Sequence, residues 1–133
     1  MSEVKIEFSI IGDDFFPEEI TKLLGIQPTE AYCIDDEFLG GSEKSIPMKR
    51  KETCWRIETD YAETIDVEFE LRKIYNLIKD KADILKMIQN KFCTTCKFVI
   101  VIYFSDNPIL GIDRDIIKFA AEIDAEFQFD TYI

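Results

Sequence analysis

Histidine is absent from the chain, and that absence excludes more chemistry than any motif present supplies. Serine or cysteine triads with a histidine base are ruled out, as are zinc sites that use imidazole, leaving carboxylates, lysines, tyrosines and cysteines as acid–base groups. Glycine is scarce, with five in 133 residues. The one adjacent pair, Gly40-Gly41, is not followed by the lysine and hydroxyl residue that a phosphate-cradling loop needs. No apolar run approaches the length of a membrane span; the longest, Phe98 to Phe104 within KFVIVIYF at 97–104, is seven residues. At the N-terminus, MSEVKIEFSI lacks the basic region, apolar stretch and small-residue cleavage site of a secretory signal, so the expected address is the cytoplasm. Positive charge is in deficit: 16 basic against 27 acidic residues give a net charge of −11. Such a field repels nucleic-acid phosphates and anionic lipid and attracts basic protein surfaces, so the expected partner is a basic protein, with no nucleic acid and no membrane.

What remains is a globular composition, 47% hydrophobic and 32% charged, which predicts a soluble chain. Its length suits a single domain over 1–133 that buries about two thirds of the surface its unfolded form exposes. Four cysteines, Cys33, Cys54, Cys93 and Cys96, in a chain without an export signal are expected as free thiols. The chain is organised around 97–104: Phe98 to Phe104 are almost all β-branched or aromatic and read as an interior strand covered on both faces.

Residues 4 to 11 alternate, Val4, Ile6, Phe8 and Ile10 against Lys5, Glu7 and Ser9, as a half-buried strand does. Pro17 with Glu18 and Glu19 opens a short helix that ends near Leu24, where Gly25 can take the left-handed exit and Pro28 prevents resumption. Short strands follow at 30–34 and 53–59, joined by a breaker-rich stretch (Gly40, Gly41, Ser42, Ser45, Pro47) long enough to suggest mobility or a role for the 35–52 loop. Between 62 and 72 two periods compete, and the longer one predicts a helix over 66–79. Asp80 reads as the cap of a second helix carrying Ile84, Leu85, Met87 and Ile88, and Asp113 as the cap of a last one carrying Ile116, Ile117, Ala120 and Ile123. A final strand places Phe127 and Phe129 on one side and Glu126, Gln128, Asp130 and Tyr132 on the other. The order β-α-β-β-α-α-β-α-β predicts an α+β two-layer sandwich: a largely antiparallel five-stranded sheet, helices on one face, and a ferredoxin-like core.

The stretch GDDFFPEEITKLLGIQPTEAY, the lone tryptophan in CWRIE and the chain end AEIDAEFQFDTYI together resemble the bacterial domain-of-unknown-function family 4279. The resemblance rests on Pro17, the run from Thr21 to Gly25, Pro28, Trp55, Asp130 and Tyr132, in order across nearly the whole chain. One departure is Cys33-Ile34-Asp35-Asp36, which stands where that family tends to carry a glycine. The resemblance implies a bacterial protein with no assigned activity.

Cys93-Thr94-Thr95-Cys96 has the spacing of a zinc-binding or redox pair, yet it follows a helix instead of opening one, and no second such pair exists. Cys33 and Cys54 could complete four ligands only if the hairpin carried both to one end of the sheet. Structural thiols are the simpler reading, and no cofactor or metal is expected. Acidic clusters at Asp13-Asp14, Glu18-Glu19 and Asp35-Asp36-Glu37 lack calcium-loop spacing and read as solvated surface. The basic island Lys44 to Lys51 lacks interleaved aromatics and makes a poor nucleic-acid platform. Trp55, Arg56, Asp130 and Tyr132 are the candidate binding surface, because tryptophan, tyrosine and arginine dominate binding hot spots. The leading expectation is a non-catalytic protein-binding module, with an immunity-type protein covering a basic toxin as a special case. The alternatives are a small-molecule-binding or enzymatic domain with a pocket between sheet and helices, walled by Trp55 or Tyr132, and a homo-oligomer formed through an exposed sheet edge.

Overall fold

The computed structural model describes residues 1–133. Strand β1, Ser2–Gly12, carries the alternation seen in the sequence, with Val4, Ile6, Phe8 and Ile10 fully buried. Helix α1, Pro17–Leu24, begins at the proline and ends where Gly25 turns left-handed (φ +70°) and donates its N–H to Thr21 O at 2.8 Å. Then come β2 (Glu30–Tyr32), β3 (Glu37–Gly40), β4 (Ile46–Lys49), β5 (Thr53–Glu58) and β6 (Ala62–Thr64). Helices α2 (Val67–Ile78) and α3 (Ala82–Phe92) precede β7 (Thr95–Tyr103), and α4 (Arg114–Glu122) precedes β8 (Ala125–Tyr132).

The sheet is mixed and has six strands, not five. Its order is β2-β5-β1-β7-β8, with β6 also on β1; every pairing is antiparallel except β7 with β8. The sixth strand and a helix share the stretch after residue 62. β6 takes only 62–64; of the alternating apolar residues Ile65, Val67, Phe69 and Leu71, the last three lie in α2, and Asp66 starts that helix by accepting a hydrogen bond from Glu68 N at 3.1 Å as its cap.

Two expected caps act differently. Lys81, not Asp80, occupies the position before α3 and makes no side-chain cap bond. Asp113 does stand before α4, but its carboxylate turns away to accept from Arg72 Nη2 at 3.0 Å, because a guanidinium held by both Asp113 and Asp115 outcompetes a neutral backbone donor. The stretch 35–52 is more than a loop: β3 and β4 pair with each other from Glu37↔Lys49 to Gly40↔Ile46 as a small second sheet.

All four helices cover the same face. Ile20 and Leu24 of α1, Leu71, Ile74 and Ile78 of α2, Leu85 and Ile88 of α3, and Ile116 and Phe119 of α4 form one core with Ile6, Phe8, Trp55, Phe98 and Ile100 of the sheet. β7 is interior, as its apolar run requires, but no helix lies over its second face. Val99 and Val101 are nevertheless buried. Their cross-strand neighbours are Glu7 and Lys5 on one side and Gln128 and Asp130 on the other, long or polar side chains whose hydrocarbon stems shield the valines while the heads stay wet.

Candidate functional site

The helix-free face is where the unusual chemistry collects. Alternation on each strand sends to it Glu30 and Tyr32 from β2, Cys54, Arg56 and Glu58 from β5, Lys5, Glu7 and Ser9 from β1, Tyr103 from β7, and Asp130 and Tyr132 from β8.

Across β2, β5 and β1 these charges form a chain. Arg50 Nη2 lies 3.5 Å from Glu30, Arg56 Nη1 3.2 Å from Glu30, Arg56 Nε 3.4 Å from Glu7, and Lys5 Nζ 3.3 Å from Glu7 and 3.7 Å from Glu58. Arg56 Nε also donates to Ser9 Oγ at 2.9 Å, so the guanidinium is fixed on three sides. Burial opposes the charge of Lys5, yet the carboxylates of Glu58 and Glu7 outweigh it and hold its pKa above the usual lysine value. Arg56 follows the same logic: burial works against the cation, and the surrounding acidic groups, Cys54 and Glu7 first among them, more than compensate.

The two ends of the chain are aromatic. At one end the Arg50 guanidinium sits 4.0 Å from the Tyr32 ring centroid and 3.8 Å from that of Phe38, a cation held against two π-faces. At the other, Lys5 Nζ stands 5.2 Å over Tyr61, whose ring meets Tyr103 edge-on at 5.6 Å, and Tyr103 stacks on Tyr132 at 4.7 Å and 15°. Tyr61, Tyr103 and Tyr132 are 46%, 44% and 47% exposed. Burial keeps the Tyr61 phenol neutral above its ordinary range.

Arg56, Asp130 and Tyr132 therefore share a face. Trp55 does not: it points into the core, fully buried, with its Nε1 donating to Thr21 Oγ1 at 3.0 Å. Adjacent strand residues point oppositely, so a surface containing both Trp55 and Arg56 was geometrically unavailable. Tyr61, Tyr103, Lys5 and Glu7 are not singled out by the sequence as binding residues, and Arg50 stands out there only within the basic island Lys44 to Lys51. The polar half of the β1 alternation was a visible signal for two of them, whereas the tyrosine row depends on register.

The cysteines stay apart. Cys93 is exposed at the left-handed end of α3 (φ +54°), and Cys96 is buried on the helix-covered face, where Gln89 Nε2 donates to its Sγ at 3.3 Å. Cys54 lies on the opposite face, so the sheet itself separates it from Cys96. No three cysteine or carboxylate side chains converge as a metal-binding group.

The space between sheet and helices is filled by the core. The largest cleft, about 390 Å³, lies instead outside α1 and is lined by Pro17, Glu18, Thr21, Lys22, Gln27, Pro28 and Ala31. Neither Trp55 nor Tyr132 borders it. No helix is long and apolar enough to cross a membrane.

No curated protein and no solved structure matches the chain. A family model does match, over residues 2–133 and so across every element of the charged and aromatic face, and by that match the chain belongs to the family described as Domain of unknown function (DUF4279).

Proposed function

We propose that this chain is a non-catalytic protein-binding module that docks a basic protein on the helix-free face of its sheet. The observation that supports this most directly is the row Tyr61, Tyr103 and Tyr132, edge-on and then stacked, and nearly half exposed on a chain of net charge −11. Ring-to-ring contact lowers the entropy lost when these rings are covered, and tyrosine supplies apolar area with a polar tip, the combination that concentrates binding energy at interfaces. The acidic field supplies attraction at a distance and selects against acidic competitors. An immunity-type protein that covers a basic toxin is the special case this chemistry suits best.

The strand order β7-β1-β5-β2, all antiparallel with crossovers through α1 and the α2–α3 pair, we read as a ferredoxin-like core extended by β6 and β8. That architecture hosts many unrelated functions, so binding is inferred from the face and not from the fold.

The test is co-purification of the chain with the separately expressed products of the genes flanking its own. A partner with a net positive charge, released by raised salt and lost from the Tyr103→Ala, Tyr132→Ala double variant, is the expected result. Flanking-gene products that all fail to bind, or a partner indifferent to both salt and the tyrosines, would overturn the reading.

A further inference from the structure

Strand β8 is an edge of unusual openness. It runs eight residues, Ala125 to Tyr132, and all of its pairing is to β7 on one side. The ladder is unbroken from Cys96↔Ala125 to Tyr103↔Tyr132, with no bulge. Its sequence, AEFQFDTY, contains neither proline nor lysine. Edges of this length are normally blunted by such devices or covered, because a row of unpaired N–H and C=O groups is a template for another strand.

The two sides of this edge specify different neighbours. Toward the helix-free face stand Glu126, Gln128, Asp130 and Tyr132; toward the helices stand Phe127 and Phe129, the latter 49% exposed. On the charged side Lys97, across from Glu126, is engaged with Gln128 Oε1 at 3.4 Å and leaves both β8 carboxylates without an ion pair. A second copy pairing antiparallel about Gln128 would set Glu126 against Asp130, like charges face to face, which disfavours self-association through this edge. A basic strand would meet opposite charges at the same two positions.

We propose that β8 accepts an extended segment of the partner as an added strand, one in which lysine or arginine alternates with apolar residues. The basic side chains face Glu126 and Asp130 and continue toward the tyrosine row; the apolar ones extend the strip made by Phe127 and Phe129. Main-chain hydrogen bonds along the edge supply affinity, and the alternation supplies specificity. This mode of docking rests on the basic-partner reading above and adds to it where and how the partner attaches.

The probe is an acetylated, amidated octapeptide alternating lysine and valine, labelled with a fluorophore and titrated into the full chain by anisotropy. Its control is the same peptide methylated at every backbone nitrogen, equal in charge but unable to donate to an edge. Binding of the first and not the second, with slowed hydrogen exchange at β8 amides, is the expected result. The double variant Glu126→Lys, Asp130→Lys, both at the surface strand, should weaken binding by about tenfold or more. Equal binding of both peptides would overturn strand addition while leaving the basic-partner reading intact. Binding of neither would also overturn it, with the basic-partner reading then decided separately by the flanking-gene products.

Discussion

The Cys96 thiol is sealed on the helix-covered side of β7, 2% exposed, with a single donor from Gln89. Burial pushes its pKa up to about 11 from an ordinary 9.0, with the Gln89 bond pulling the other way. In the unfolded chain the thiol loses its proton near pH 9, and in the folded chain it keeps the proton until about pH 11. Stability is therefore fully present below pH 9 and is lost as pH rises toward 11, by ~2–3 kcal/mol. Lysines and tyrosines titrate in the same window, so the informative quantity is a difference. Urea unfolding at pH 9 and pH 11 should show Cys96→Ala losing less stability between the two than the wild type does. Identical losses would mean that this thiol does not sense burial. At this scale residue type alone was a poor guide: Trp55 and Tyr132 are both hot-spot residues, yet one is consumed by the core because Thr21 satisfies its indole N–H. What distinguishes them is the face each strand position is turned to, Trp55 toward the helices and Tyr132 away from them.

Among the elements, the β3–β4 arm departs most from expectation. Its register continues that of the β2–β5 hairpin: Glu30 opposes Arg56, Arg50 N donates to Asp36 O at 2.8 Å, and Glu37 opposes Lys49. One long hairpin thus runs from the sheet to a tip at Gly41 (φ +83°) and Lys44 (φ +51°), interrupted near 33–36. Local sequence reads as loop because the breakers cluster at the tip and Pro47 falls in β4, a position an edge strand tolerates. Beyond the sheet the arm packs chiefly on itself, through Phe38 opposite Met48, with Leu39, Ile46 and Met48 exposed. Replacing 37–49 by Asn-Gly, to close a two-residue turn between Asp36 and Arg50, should change stability by less than about 1 kcal/mol, the scale of the lost Arg50–Phe38 contact. Urea unfolding with an unchanged cooperative slope would check this, and a loss of several kcal/mol would show that the arm supports the core.

For the whole molecule, charge is the dominant long-range term. Twenty-seven acidic residues against 16 basic ones repel one another across the surface, whereas the pairs on the sheet are short-range and partly shielded, with Glu7 14% and Arg56 19% exposed. Raising ionic strength from about 0.01 M to about 0.15 M shortens the screening length from ~30 Å to ~8 Å, which weakens the distant repulsion more than the close contacts. The thermal midpoint should rise by about 2–4 °C, equivalent to ~1 kcal/mol. A fall would mean that the Lys5–Glu7–Arg56–Glu30 chain, not net repulsion, governs stability. The sequence by itself determined what depends on periodicity and composition: an interior β7, helices with one apolar stripe, a chain with an acidic surface, and no histidine chemistry. Tertiary structure alone decided which strands lie side by side. Tyr61, Tyr103 and Tyr132 are 71 residues apart from first to last, and Glu30 and Arg56 belong to different strands, so their meeting depends on register and sheet order. Those are set by long-range packing of the whole core, which no local pattern encodes.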